Sequence, residues 1–131
     1  EYTNTSYQLQ NTWHLFQYNH WALCEQFALL TKSKTSQSLH VSNTLIGNSQ
    51  QLFIEAGAEV CASNINTTTG PVYIGANALI MEGCNIRGPF ACGEKAVLKM
   101  GSKIYGATTI GKQATAGGEI KNSIISNYSN K

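Results

Sequence analysis

The sequence lacks several features that mark common functional classes. It contains no aspartate, and only 12% of its 131 residues are charged, with a formal net charge of +2. Because the lysines are scattered rather than clustered, this charge does not indicate a nucleic-acid partner. No apolar run approaches the ~18 residues that span a bilayer, and no signal-peptide pattern opens the chain. The sequence therefore predicts neither a nucleic-acid nor a membrane partner.

The four cysteines, Cys24, Cys61, Cys84 and Cys92, form no CxxC pair. This spacing argues against a zinc site or a redox motif, so we predict no metal ligands. We expect free, buried thiols in a reducing compartment, and therefore a cytoplasmic protein. Cys84 and Cys92 also occupy interior positions of the repeat described next, which favours packing over nucleophilic chemistry.

From Ile74 onward, the chain places an apolar residue at every sixth position. The eight positions are Ile74, Ile80, Ile86, Cys92, Leu98, Ile104, Ile110 and Ala116. Most positions four residues after these are small, and glycines fall between the two series. A helix would scatter a period of six around its axis, and a simple strand would not select every sixth residue. The pattern predicts a triangular coil in which each six-residue unit supplies a short strand and a tight turn.

If three units close one coil, residues 18 positions apart must stack. The predicted columns are Ile74 with Cys92 and Ile110, Ile80 with Leu98 and Ala116, and Ala78 with Ala96 and Ala114. Upstream, Ile54 lies 20 residues before Ile74, so we expect two extra residues to bulge from a corner at 66–71. Coils stacked ~4.8 Å apart with parallel hydrogen bonding form an all-β, parallel β-helix.

The region before the repeat has a different pattern. Residues 11–31 predict one amphipathic helix, whose stripe must pack against the prism, a preceding domain or another protomer. The apolar stripe consists of Trp13, Phe16, Leu23, Phe27 and Leu30. Asn11 or Thr12 is the candidate N-cap. The Ser-rich stretch 32–43 predicts a linker. The expected organisation is a tail, connecting helix and linker over 1–43, followed by the β-helix domain over 44–131.

The repeat over about 52–125 resembles the hexapeptide-repeat family of parallel β-helices. The resemblance implies a left-handed coil, which the spacing alone does not fix. It also implies a homotrimer with active sites in the clefts between neighbouring prisms. Many members of this family are acyltransferases that use a thioester donor, so acetyl-CoA is the implied co-substrate.

Two stretches, IRGPFACGEKAVLKMGSKI (86–104) and GGEIKNSII (117–125), carry a closer resemblance. They are similar to the C-terminal region of the bifunctional N-acetylglucosamine-1-phosphate uridyltransferase/glucosamine-1-phosphate acetyltransferase family. The implied ligands are a sugar phosphate or a nucleotide sugar. The chain starts at Glu1 rather than Met, and the repeat is still in progress near its end. We therefore expect a nucleotidyltransferase domain before Glu1 and a truncated C-terminus.

The same resemblance implies one substrate-binding residue, and the repeat itself offers a second. Lys121, in EIK at 119–121, aligns with a lysine that binds the phosphorylated acceptor; the alternative is a solvated lysine at the edge of a face. Arg87, near a corner of the repeat, could bind a phosphate; the alternative is that it pairs locally or with a neighbouring chain. Glu94 stands approximately where the family has an arginine that contacts the sugar phosphate, and a carboxylate there would repel that group.

Acetyl transfer to an amine needs a general base, usually histidine. The histidines are His14, His20 and His40, and none lies in the repeat. No catalytic residue is therefore assigned, and we do not expect this piece alone to be active. Two functions stay open. The complete protein transfers an acetyl group from acetyl-CoA to an amino-sugar phosphate, or the domain is a non-catalytic trimerisation or regulatory module of a sugar-1-phosphate nucleotidyltransferase.

Overall fold

The computed structural model describes the backbone from His14 to Lys131 and, within the helix, the side chains from Tyr18 onward. The predicted stripe residues Trp13 and Phe16 and both candidate N-caps lie outside these described side chains. In chain order the elements are α1 (His14–Thr31), β1 (Thr44–Ile46), a 3-10 helix (Ser49–Gln51), β2 (Leu52–Ile54), β3 (Glu59–Val60), β4 (Asn64–Asn66), β5 (Val72–Ile74), β6 (Leu79–Ile80), β7 (Asn85–Arg87), β8 (Phe90–Cys92), β9 (Val97–Leu98), β10 (Lys103–Ile104), β11 (Thr108–Ile110), β12 (Thr115–Ala116), β13 (Glu119–Ile120) and β14 (Ile124–Ile125).

The strands form three parallel sheets, which are the faces of a triangular prism. The first sheet contains β1, β4, β7, β10 and β13, the second contains β2, β5, β8, β11 and β14, and the third contains β3, β6, β9 and β12. Each circuit of the chain adds one strand to each face, so the described residues make about five stacked coils. This confirms the predicted fold class: an all-β parallel β-helix of hexapeptide-length repeats, preceded by one α-helix.

The predicted 18-residue register is confirmed on two faces. Ile74 pairs with Cys92, and Cys92 with Ile110, in the second sheet. In the third sheet Ile80 pairs with Leu98 and Leu98 with Ala116. These residues, together with the alanine column, belong to one buried apolar cluster. Each fully buried aliphatic side chain stabilises the prism by ~1.5–3 kcal/mol.

The coils before and after this region depart from 18 residues. Ile54 pairs with Ile74, a step of 20, as predicted. The corner between β4 and β5 holds five residues (67–71), whereas the next coil turns between β7 and β8 with two, Gly88 and Pro89. In the last coil, Ile110 pairs with Ile125, a step of only 15. Corners therefore absorb the length changes, and the strands keep their stacking.

The corner between the second and third sheets repeats one backbone conformation. Its residues Gly57, Asn77, Lys95 and Gln113 all have positive φ, at 83°, 58°, 59° and 55°. Glycine and asparagine adopt this left-handed region at low cost, which accounts for the turn residues in the sequence. Lysine and glutamine take the same conformation because the stacked coils above and below impose it.

Helix α1 lies along the outer surface of the second sheet. Asn19 Nδ2 donates to the Ala107 carbonyl at 2.8 Å, and Thr109 Oγ1 donates to Asn19 Oδ1 at 3.1 Å. Leu23 and Phe27 are buried, which agrees with the predicted stripe, whereas Leu30 is 45% exposed and does not pack against the prism. The helix therefore uses a shorter stripe, with Asn19 as a buried polar member. No helix in the described residues is long and apolar enough to cross a membrane.

A polar cluster ties the end of the helix to the first coils. Lys34 Nζ lies 3.3 Å from Glu55 Oε2, and the Tyr73 hydroxyl donates to the same carboxylate. Tyr73 also stacks on Phe53, with 5.8 Å between ring centroids. Burial, and then the hydrogen bond to Glu55, raises the pKa of Tyr73 above its usual value. Asn19 thus holds the first half of the helix, and the cluster holds the segment after it, against the same face.

Residues 36–43, predicted as a linker, hydrogen-bond to the first coil. Gln37 Nε2 donates to the Ala58 carbonyl at 2.8 Å, and Asn43 Nδ2 donates to the Val60 carbonyl at 2.7 Å. These side chains satisfy backbone groups that the second and third sheets would otherwise leave open at their edge. The segment therefore acts as a cap over one end of the prism.

The alanine column gives a direct test of the register. Ala96 is 1% exposed and lies between Ala78 and Ala114, which are equally buried. We expect Ala96→Leu to lower the free energy of unfolding by ~1–3 kcal/mol, because the extra atoms overpack the corner. The measurement is urea unfolding, with Ala56→Leu at an exposed corner position as the matched control. Equal unfolding midpoints for the two variants would contradict the register.

Candidate functional site

An open groove of about 320 Å³ runs along the outer surface of the first sheet. Its lining residues are Ile46, Asn64, Asn66, Asn85, Ile86, Arg87, Lys103, Ile104 and Tyr105. Ile86 and Ile104 belong to the buried interior. The side-chain chemistry of the groove therefore comes from three amides, two cations, one phenol and one aliphatic group. Its size is at the lower end of the ~300–1,000 Å³ typical of small-molecule sites.

The parallel pairing brings the two predicted substrate-binding residues onto one column. Ile86 and Ile104 point inward and pair across β7 and β10. Since side chains alternate along a strand, the next residues, Arg87 and Tyr105, point outward and lie side by side. Lys121 follows one coil further, because β10 pairs with β13 in the same register. The column therefore reads Arg87, Tyr105, Lys121 along the prism.

Arg87 and Lys121 are separated by two strand steps, about 10 Å between Cα atoms at ~4.8 Å a step. Both residues are exposed, and Tyr105 between them is 50% exposed. Arg87 lines the groove, whereas Lys121 lies just beyond its end. Their role as phosphate contacts stays a prediction, but a single small anion between them could reach both side chains.

Sequence reasoning missed the second outward column. Lys103 lies between Asn85 on β7 and Glu119 on β13, directly paired with each. Asn64 continues the column on β4. The signal was present in the sequence, since each of these residues directly precedes an inward-facing isoleucine. Lys103 therefore adds a third cation to the face that carries Arg87 and Lys121.

Hydrogen bonds hold the amide groups of the groove in place. Asn64 Nδ2 donates to Asn85 Oδ1 at 2.8 Å, and Asn85 Nδ2 donates to the Gly83 carbonyl at 3.3 Å. Asn66 Oδ1 accepts from the backbone and side chain of Thr68. Among the described contacts, Asn64 Oδ1 and Asn66 Nδ2 bind no protein group. One acceptor and one donor are thus available to a ligand at this end of the groove.

Glu94 does not lie on the first sheet. It follows β8 at the corner between the second and third sheets, where its carboxylate is 3.4 Å from Lys112 Nζ. Both side chains are about half exposed, so this pair contributes little to stability. The negative charge of Glu94 is therefore directed away from the column formed by Arg87 and Lys121.

The described histidines are also remote from the groove. His20 is exposed on α1, which covers the second sheet. His40 is exposed in the cap, where its Nδ1 accepts from the backbone N–H of Ser42 at 3.1 Å. His40 also lines a second depression of about 380 Å³ beside Glu59 and Cys61. Within the described residues, no group of three side chains of metal-ligating type could hold a metal ion.

The cysteines divide into two pairs, and the expectation that all four are buried was wrong for one pair. Cys84 and Cys92 are buried, and Cys92 is an inward residue of the second sheet. Cys24 and Cys61 are exposed. Burial raises the pKa of Cys92 to about 12. Burial also raises the pKa of Cys84, whose Sγ donates to the Lys99 carbonyl at 3.2 Å.

No protein-family model, curated protein or solved structure matches the chain. The likeness to hexapeptide-repeat proteins therefore stands on the repeat and on the parallel solenoid.

A thiol titration tests the difference between the exposed and the buried cysteines. With a disulfide reagent at pH 8, we expect the two exposed thiols of the native protein to react first, and Cys24 to react more slowly than Cys61 because burial and the nearby Glu25 raise the pKa of Cys24. Cys84 and Cys92 are shielded and protonated, so they should react only after denaturation in guanidinium. Cys61→Ser should remove one fast-reacting thiol, whereas Cys92→Ser should leave the fast phase unchanged. Rapid reaction of all four native thiols would contradict the described packing.

Proposed function

We propose that the chain is the hexapeptide-repeat part of a sugar-1-phosphate nucleotidyltransferase-like protein. Its first sheet binds a phosphorylated amino sugar that accepts an acetyl group from acetyl-CoA. The observation that carries the proposal is the cationic end of the groove. Arg87, Lys103 and Lys121 lie on three successive coils of one face, and they are three of only nine lysines and arginines in the chain.

These side chains suit a sugar phosphate. A guanidinium binds phosphate through two parallel hydrogen bonds, so Arg87 would orient the anion as well as attract it. Lys121, beside Tyr105 on the next coil, and Lys103, two residues before Tyr105 on the same coil, would act as point charges. The exposed ring of Tyr105 offers an apolar surface for a sugar ring, and its hydroxyl offers a hydrogen bond. The described face can therefore hold both parts of the acceptor.

The chain would supply binding and orientation rather than proton transfer. A general base for acetyl transfer must lie within hydrogen-bond reach of the acceptor amine. His20 and His40 lie away from the first sheet, on the helix and in the cap. Acetyl-CoA would supply the acetyl group, and no residue of this chain is assigned to it. The proposal leaves the base to another part of the protein or to another subunit.

The test is calorimetric titration of the chain with glucosamine 1-phosphate in low-salt buffer. Arg87→Gln should weaken binding about tenfold or more, because a charged hydrogen bond contributes ~1.5–3 kcal/mol. Lys121→Gln should weaken it less, since a lone ammonium is more strongly hydrated. Lys32→Gln, an exposed lysine after the helix, is the matched control and should bind as the wild type does.

Two outcomes would contradict this function. One is the absence of glucosamine 1-phosphate binding at millimolar concentration. The other is equal loss of affinity in the Arg87→Gln and Lys32→Gln variants, which would indicate general charge attraction. A parallel titration with acetyl-CoA tests the donor, and absence of binding there would leave the chain as an acceptor-binding module without acyl transfer.

A second candidate function is the non-catalytic trimerisation module, and the third sheet favours it. Leu79 and Val97 point outward from this sheet and pair across β6 and β9. Met81 follows on the same face, and all three are half-buried in the single chain. An apolar strip of this kind, with the exposed Glu59 and Lys99 at its margins, is typical of the apolar core and charged rim of a subunit interface. In this role the groove would bind a regulatory ligand or none.

Sedimentation velocity tests whether the chain forms a trimer through the third sheet. We expect the wild-type chain to sediment as a trimer and Leu79→Glu to sediment as a monomer, because a carboxylate cannot be buried in an apolar contact without a partner. Asn85→Glu, on the exposed outer surface of the first sheet, is the matched control and should remain trimeric. A monomeric wild type would end this candidate.

A further inference from the structure

A backbone N–H group of the first coil points toward the cap without a protein acceptor. The N–H of Glu59, in the first strand of the third sheet, donates to the Ala78 carbonyl of the next coil at 2.8 Å. Because successive residues of a strand direct their backbone groups to opposite edges, the N–H and C=O of Val60 face the cap. The C=O accepts from Asn43 Nδ2 at 2.7 Å, whereas no described residue accepts from the N–H. Val60 is only 6% exposed, so its N–H is a buried donor that a bound group could satisfy.

This N–H lies at the depression of about 380 Å³ between the cap and the third sheet. His40 lines the same depression and supplies a second donor. Its Nδ1 accepts from the Ser42 N–H at 3.1 Å, so the neutral ring carries its proton on Nε2. The apolar lining consists of Leu39, Ile54 and Ala58. Two donors beside an apolar surface suit a carboxylate that is attached to a small apolar group.

The depression also has an acidic rim. Glu59 lines it and is exposed, and its carboxylate belongs to neither of the ion pairs among the described residues. A simple carboxylate bound to the two donors would therefore approach a like charge, which weakens binding. A ligand that carries an ammonium group beside its carboxylate would turn the same charge into an attraction.

Two amide side chains exclude a longer ligand. Gln37 Nε2 donates to the Ala58 carbonyl, and Asn43 Nδ2 donates to the Val60 carbonyl. Each amide oxygen accepts a backbone N–H in return, which holds both side chains in place. The carbonyls that an added β-strand would pair with are therefore occupied. An extended peptide would gain one main-chain hydrogen bond here, whereas binding by strand addition depends on several.

We propose that the depression beneath the cap binds a small apolar α-amino acid as its zwitterion. The carboxylate accepts from the Val60 N–H and from His40 Nε2, the ammonium group pairs with Glu59, and the side chain lies against Leu39. Since Leu39 and His40 belong to the cap and the other two residues to the first coil, the ligand joins the cap to the prism. This site is separate from the groove on the first sheet and does not depend on the function proposed above.

The experiment compares L-leucine with two analogues that each lack one charged group. They are 4-methylpentanoate, which lacks the ammonium group, and 3-methylbutylamine, which lacks the carboxylate. Each is titrated into the full chain at neutral pH and followed by NMR of the backbone amides. L-Leucine should bind at millimolar concentration and shift the amide signal of Val60, because that N–H gains a charged acceptor. Each analogue should bind about tenfold or more weakly, since it loses a charged hydrogen bond.

Variants assign the contacts. Glu59→Gln should weaken L-leucine binding about tenfold and leave 4-methylpentanoate binding unchanged, because only L-leucine has an ammonium group to lose a partner. His40→Ala should weaken both of these ligands about fivefold, the equivalent of roughly one hydrogen bond. Glu82→Gln, at an exposed corner of the second coil, is the matched control and should bind as the wild type does. Arg87→Gln on the first sheet should also leave L-leucine binding unchanged. Thermal unfolding followed by circular dichroism checks that each variant is folded.

Three results would overturn this inference. The first is the absence of L-leucine binding at millimolar concentration. The second is equal affinity for L-leucine and either analogue, because the site would then not recognise the missing group. The third is equal affinity for L-leucine in the Glu59→Gln and Glu82→Gln variants, because the ammonium group would then have another partner. None of these results bears on the proposed function, which is tested with glucosamine 1-phosphate and Arg87→Gln.

Discussion

Each coil of this protein can bury its apolar side chains only by resting in register on the coil before it. A strand of two or three residues cannot form a stable sheet alone, and one triangular turn of chain encloses too little apolar surface to hold itself closed. Stacking meets both needs, because one translation pairs the backbones and aligns the interior side chains. The alanine column shows the strength of this constraint, since a larger residue at one level has no free space above or below.

The same register assembles the candidate site from distant parts of the chain. Arg87, Tyr105 and Lys121 are 18 and 16 residues apart, yet they occupy adjacent positions of one outward column. Rigid parallel strands thus set the spacing of the cations, and the corners have no part in it. Corners can therefore gain residues, as at 67–71, or lose them, as between β12 and β13, without moving a side chain on a face.

The sequence allowed the prism, its 18-residue register and the helix to be predicted, because each leaves a periodic apolar signal. The exact lengths of the corners could not be predicted from the sequence, because a turn signal marks a bend without fixing its number of residues. Only part of the groove could be predicted from the sequence. Lys103 and the asparagines alternate with the interior residues, and an outward polar residue carries no apolar signal of its own. Asn19 was missed on the helix for the same reason, as a polar residue that is buried only because Ala107 and Thr109 meet its hydrogen bonds.

The three faces of the prism are not equivalent, and this decides where ligand chemistry can occur. The interior is filled by aliphatic side chains and alanines, so it leaves no room for a ligand. The second sheet is covered by α1, which is anchored through Asn19 in its first half and is followed by Lys34, the partner of Glu55. The third sheet presents Leu79 and Val97, whose apolar side chains favour contact with protein over contact with a polar ligand. Among the described faces, the first sheet is the one that combines exposure, fixed amides and three cations, Arg87, Lys103 and Lys121, against one carboxylate, Glu119, so an anionic small molecule has its best electrostatic partner there.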